Sequence, residues 1–174
     1  MTGQLEPDDH VLPGGTLMSR VAIYDSVSVD AQRGGTPHLH LACDEMYYGL
    51  SGQGAVELIT YEGFARRPVV PGVAICFTPG TIHRAINPDG DLTILVIMQN
   101  KGLPERGDVA VCFPRQVLDS PQDYDKAMPV HNAEEARNRR DLGVAGFIEI
   151  KQAFERCLTE GRAALDHFYR IAIE

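Results

Sequence analysis

Between residues 34 and 91, turns bearing glycine or proline cut the chain at short intervals, and this cadence most constrains its fold. Gly34-Gly35-Thr36-Pro37, Ser51-Gly52-Gln53-Gly54, Pro71-Gly72, Pro79-Gly80 and Asn87-Pro88-Asp89-Gly90-Asp91 each favour a reversal of direction. Short apolar runs lie between and around them. Leu17 to Asp30 alternates, with Val21, Ile23, Val27 and Val29 on one parity. Glu45 to Leu50 and Ala55 to Thr60 read as a hairpin about the turn at 51–54. Val73 to Phe77, Leu92 to Met98 and Val109 to Phe113 add further strands, the last after a long loop from Asn100 to Asp108. Many short strands with few helical stretches predict an all-β barrel or jelly roll.

The pattern changes after Pro114. Asn132 suits a helix N-cap, with Glu135 as its reciprocal partner. Ala133 to Leu142 follows, with an end expected near Gly143. Phe147, Ile150, Phe154 and Cys157 or Leu158 recur at helical spacing, Gly161 is a candidate break, and Leu165, Phe168, Tyr169 and Ile171 form another apolar stripe. The expected organisation is an N-terminal arm (1–15), a barrel (16–115), and a linker with two or three helices (116–174). Those helices either pack on the outer sheet as core, or form a lid or an arm that docks on a partner.

The net charge of −8 opposes nucleic acid. Arg66-Arg67 and Arg137, Arg139 and Arg140 are the basic clusters, and neither is interleaved with aromatics. No apolar run is long enough for a bilayer, so no membrane partner is expected. The first residues lack a basic region followed by an apolar stretch, which with the cysteine pattern points to the cytoplasm. Cys43, Cys76, Cys112 and Cys157 form no C-x-x-C and no evident staple, so free thiols are expected. Cys43 is either pocket-lining or a small buried filler.

His38-Leu39-His40, Glu45 and His83 carry the chemistry. Residues two apart on a strand face the same side, so His38 and His40 point together. Glu45 follows after a bend at Cys43-Asp44, and His83 comes from another hairpin. Imidazole and carboxylate suit a divalent transition metal, and four ligands leave open one or two octahedral positions. The bland alternative is two surface histidines beside a loop and an unrelated third.

These runs resemble the two motifs of the cupin superfamily. The first is written G-x5-H-x-H-x3,4-E-x6-G, and His38, His40, Glu45 and Gly52 fit its last four fixed positions. Gln32 stands where the opening glycine is expected, with Gly34 and Gly35 close by. The second, G-x5-P-x-G-x2-H-x3-N, is matched by Gly72, Gly80, His83 and Asn87, with Thr78 in place of proline and Pro79 one position late. The resemblance covers about residues 32 to 87. It implies a double-stranded β-helix (jelly-roll barrel) in which His38, His40, Glu45 and His83 bind the metal. Iron(II) is the first expectation, and zinc, nickel, manganese or cobalt suit the same ligands.

Parity nominates the remaining pocket residues. Tyr47 and Gly49 share the face of Glu45, and Tyr47 is the candidate catalytic residue, its hydroxyl donating to substrate. Ala85 and Asn87 share the face of His83, and Arg84 points away. Phe77 and Phe113 are candidate walls, although core packing suits them as well. The superfamily spans dioxygenases, sugar and sugar-phosphate isomerases and non-enzymatic binders, so the resemblance does not choose among them. With no lysine or arginine sent inward by parity, a dioxygenase acting on a small oxygen-rich substrate is the first expectation. A sugar or sugar-phosphate isomerase is the second, and a non-enzymatic small-molecule binder the third. A homodimer is expected, since pairing covers sheet edges.

Overall fold

The computed structural model describes residues 11–12, 15–99 and 108–173. The arm expected over 1–15 and the loop expected over 100–108 fall almost wholly outside them. Ten strands are described: β1 (Val11–Leu12), β2 (Thr16–Ala22), β3 (His38–His40), β4 (Glu45–Ser51), β5 (Gly54–Thr60), β6 (Gly63–Val69), β7 (Ala74–Phe77), β8 (Ile82–Ile86), β9 (Thr93–Met98) and β10 (Val109–Val111). They form two antiparallel five-stranded sheets, ordered β1-β2-β9-β4-β7 and β10-β3-β8-β5-β6. This is a jelly roll.

Alternation divides the residues between two cores. In the β5–β8 register Val56 faces Ala85 and Leu58 faces His83. These turn toward Tyr47, Val69, Phe77, Leu92 and Ile94 inside the barrel. The neighbouring residues turn outward: Leu39, Ile59 and Ile82 join Phe113, Phe147, Ile150, Leu165 and Phe168 in a second core beneath the helices. Each such side chain, fully buried, contributes about 1.5–3 kcal/mol.

Four helices follow: α1 (Arg115–Leu118), α2 (Pro121–Ala127), α3 (Ala133–Arg156) and α4 (Leu158–Ile173). The Asn132 side chain accepts from the Glu134 and Glu135 N–H groups, and Glu135 accepts in return from the His131 N–H and the Asn132 amide. Gly143 does not end the helix as expected. Gly143 and Gly146 instead let α3 lie close on the strand edge. A β-carbon at Gly143 would press on Val111 and Thr36, and one at Gly146 would collide with the Phe113 carbonyl. Nor does Gly161 break the run, because it makes room for the Phe154 ring. The break falls at Cys157, where the backbone is extended.

Strand β2 ends at Ala22, short of the expected Asp30, and Val27 and Val29 are exposed. Helix α3 claims this segment. Arg140 is fully buried and donates to the Ser26 and Val27 carbonyls and the Ser26 hydroxyl, while Ser28 donates to Asp141. The same segment covers Arg84. Arg84 does point away from the barrel interior, yet it is buried rather than solvated, paired with both oxygens of Asp30 at 2.6 and 3.2 Å.

Candidate metal centre

The two sheets contribute unequally to one cluster. Adjacent strands of the second sheet supply all three imidazoles. His38 and His40 stand on β3, and His83 stands directly across from His38 on β8. Leu39, between the first two, turns into the helical core. Glu45 opens β4 of the first sheet, where it pairs with Phe77 and Met98. The β7–β8 turn is tied to the first motif by the Gly80 N–H, which donates to the His40 carbonyl at 2.8 Å. Gly80 adopts φ +82°, a conformation that glycine takes without strain.

The donor atoms of His38, His40, Glu45 and His83 lie within 4.8 Å of one another. His40, Glu45 and His83 are buried, and His38 is partly exposed. The outer ring nitrogens are anchored. His38 Nδ1 lies 2.8 Å from the Thr36 carbonyl and His83 Nδ1 3.0 Å from the Thr81 carbonyl. A carbonyl only accepts, so both Nδ1 atoms carry a proton, and Nε2 is the ring nitrogen that each histidine turns toward the cluster. His40 Nδ1 stands 3.3 Å from Asp108 Oδ2, though without hydrogen-bond alignment. Such carbonyl and carboxylate contacts behind a histidine fix its tautomer and aim it at an ion.

The inward atoms need a partner. His40 Nε2, His83 Nε2 and Glu45 Oε2 are buried with no hydrogen bond among the described residues. Glu45 Oε2 sits 2.8 Å from His83 Nε2 and 3.3 Å from His40 Nε2. Burial raises the Glu45 carboxyl pKa, but His83, His40 and His38 outweigh it and hold the group well below the usual carboxylate range. Partial desolvation, reinforced by the neighbouring His83, pushes the His38 imidazole down to about 3, so it is neutral and ready to ligate. Bonds of about 2.0–2.2 Å place donors at most about 4.4 Å apart across an ion, so small side-chain shifts close this cluster on a divalent metal. Iron, manganese, zinc, nickel and cobalt all accept the donor set.

All four expected ligand residues are therefore brought together. Tyr47 stands on the same interior wall, its ring edge-on to both Phe77 (4.9 Å) and His83 (5.7 Å). Phe77 stacks on His83 at 4.7 Å and is a wall of the site, whereas Phe113 belongs to the outer core. Asn87 serves the fold: its amide donates to the Ile23 carbonyl and its oxygen accepts from the Leu92 N–H. Cys43 is buried and its thiol bonds to Asp108, so it touches the centre through that carboxylate. The other three cysteines are also free thiols.

A cavity of about 290 Å³ opens beside His38. Tyr47, Thr36, Ala85, Tyr24 and Arg139 are among its lining residues. Sequence reasoning missed Asp108 and Arg139. Asp108 precedes β10, far along the chain from the histidine it faces. Arg139 appeared only as one member of a basic cluster.

Two facing antiparallel sheets with this cluster between them define a cupin-type fold. No family model matches the sequence. A putative glucose-6-phosphate isomerase of Rhizobium meliloti (strain 1021) is 33% identical over 91 residues, covering 51% of this chain. The match spans only 35% of that protein's length. Among solved structures, a TDP-fucose-3,4-ketoisomerase from Campylobacter jejuni superposes with a TM-score of 0.44 at 11% identity, over 53% of this chain and 64% of that one. A sugar 3,4-ketoisomerase from Thermoanaerobacterium thermosaccharolyticum gives 0.43 at 14% identity over the same shares. No helix among the described residues is long and apolar enough to cross a membrane.

Proposed function

We propose that the chain is a metal-dependent isomerase of a small sugar, with His38, His40, Glu45 and His83 as the ligands. The convergence of these four donors beside an open cavity carries the reading. The likeness to a putative glucose-6-phosphate isomerase supports sugar isomerisation over oxidation by dioxygen, which the sequence had put first. A bound divalent ion supplies polarisation of the sugar's adjacent oxygens, which acidifies the neighbouring C–H. Aldose–ketose interconversion is redox-neutral and needs no oxidant: the proton that leaves one carbon passes to solvent, and a solvent proton is returned at its neighbour.

The protein's own groups orient that substrate. Burial and the Glu45 charge raise the Tyr47 phenol well above its ordinary pKa, so at neutral pH it is a hydrogen-bond donor and not a base. It lines the cavity, where its hydroxyl donates to a sugar oxygen. Phe77 holds His83 in plane, and Ala85 leaves space beside it.

Metal analysis and NMR test the reading together. Protein prepared without chelator is expected to hold one ion per chain, and His40→Ala and His83→Ala to lose it. Aldoses and aldose phosphates incubated anaerobically in D2O are expected to yield ketose with deuterium at the exchanging carbon. Unchanged metal content in both variants overturns the ligand set. Activity that requires oxygen and returns an oxidised product overturns the isomerase.

A further inference from the structure

The cavity beside His38 is roofed from outside the barrel. Its walls come from the end of β2, the 35–36 turn, β4, β8 and β10, but Arg139 comes from α3. Arg139 is the one lining residue that carries a full charge at neutral pH, and no aspartate or glutamate lines the cavity. Its guanidinium is held but not used up. One terminal nitrogen donates to the Met128 carbonyl at 2.9 Å, and its Nε is buried with no hydrogen-bond partner among the described residues. The adjacent Arg140 makes the contrast, since its three nitrogens are all taken by Ser26, Val27 and Asp141. A half-buried guanidinium on the wall of a carboxylate-free cavity calls for an anion.

We infer that Arg139 is the specificity residue for an oxyanion on the substrate, a phosphate or carboxylate, carried at the end of the sugar away from the metal. The inference rests on the reading that the sugar binds at the metal centre. Arginine suits the task because its planar fork meets two oxygens at once. The Met128 carbonyl fixes the fork before substrate arrives, which lowers the ordering cost of binding. At about 290 Å³ the cavity falls just under the usual range of small-molecule sites, about 300–1,000 Å³, which suits a single sugar with one anionic group.

Calorimetric titration of the metal-loaded protein tests this with three probes: glucose, glucose 6-phosphate and glucuronate. At least one anionic probe is expected to bind about tenfold or more tighter than glucose, and which one does so identifies the oxyanion. Arg139→Gln is expected to abolish that preference while glucose affinity and metal content stay unchanged. Arg139→Lys is expected to keep part of it, since charge survives and the fork does not. Melting curves of both variants without ligand check folding, and if Arg139→Gln fails to fold, Arg139→Lys decides. Equal binding of all three probes by the wild type overturns the inference, as does a preference that survives Arg139→Gln, or survives undiminished in Arg139→Lys. An Arg139-dependent preference without any ketose product instead leaves the anion site standing and overturns the isomerase.

Discussion

Replacing Asp108 by asparagine should weaken metal binding more than its small change in shape suggests. Asp108 Oδ1 accepts from the Leu41 and Ala42 N–H groups at 3.0 and 2.8 Å, while Oδ2 faces His40 Nδ1 at 3.3 Å. In Asp108→Asn the two backbone donors dictate the rotamer. The amide oxygen must take the Oδ1 place, because an NH2 there would meet two N–H groups. The NH2 then faces His40 Nδ1, which can accept only if its proton moves to Nε2. That places a hydrogen on the nitrogen that should hold the metal. Loss of a carboxylate behind a ligating histidine costs about 10–100-fold in metal affinity, or about 1.4–2.7 kcal/mol. Asp108→Ala removes the side-chain acceptor of both N–H groups, although Leu41 keeps the Asp108 carbonyl at 3.2 Å, and leaves His40 free to choose its tautomer. The expected rankings are therefore opposite: Asp108→Asn is the more stable apoprotein and the weaker metal binder. Competition against a chromophoric chelator measures affinity, and denaturant titration of the chelated protein measures stability. An Asp108→Asn affinity within twofold of wild type would refute the tautomer argument, and so would a single ranking for both quantities.

The buried ion pair and the helix contact give further tests. Asp30→Asn leaves Arg84 buried with only Glu57 nearby at 3.9 Å, and should cost about 3 kcal/mol in urea unfolding at pH 7. Burial raises the Asp30 carboxyl pKa, but Arg84 more than offsets this, so the folded value lies below the ordinary 3.8. The difference between wild type and Asp30→Asn should be full above about pH 4 and shrink as pH falls through the depressed value; a difference that is constant with pH speaks against the pairing. Gly146→Ala gains about 1 kcal/mol of helix propensity. It should still destabilise, because the new methyl meets the Phe113 carbonyl and overpacking costs about 1–3 kcal/mol or more. A raised melting temperature would show that α3 can lift off β10 without cost.

What the sequence made legible was the part of the centre that local geometry controls. His-x-His on a strand must face one way, and the turns at Ser51-Gly52 and Pro79-Gly80 put Glu45 and His83 at strand ends near it. Parity also placed Tyr47 and Ala85 correctly on the interior. Parity gives direction but not cover. It sent Arg84 away from the barrel, yet could not show that the 26–30 segment folds over it. The same segment looked like a strand because Val27 and Val29 keep the alternation, and only the hydrogen bonds of Arg140 explain why it is not. Gly143 resembled a helix stop, since its role depends on Val111 and Thr36, which lie far away along the chain. Asp108 and Arg139 were illegible for the same reason: each acts on groups brought near only by the finished fold.

The helices thus bear on the centre although none of its ligand residues lies on them. Helix α3 seats against Cys112 and Phe113 through Gly146, and those residues continue β10. Strand β10 pairs with β3, setting Val109 opposite His40, and Asp108 immediately before it faces the His40 ring. One continuous path therefore runs from the α3 contact through the edge strand to His40 Nδ1. The same helix carries Arg139 into the cavity and Phe147 and Ile150 into the core behind Leu39. Leu39 lies between the two histidines of β3 and packs against that core, so the helical packing that stabilises the outer face also holds the strand whose inner face presents His38 and His40. A change in α3 packing has two routes to the centre: through β10 to the orientation of His40, and through Arg139 to whatever binds beside His38.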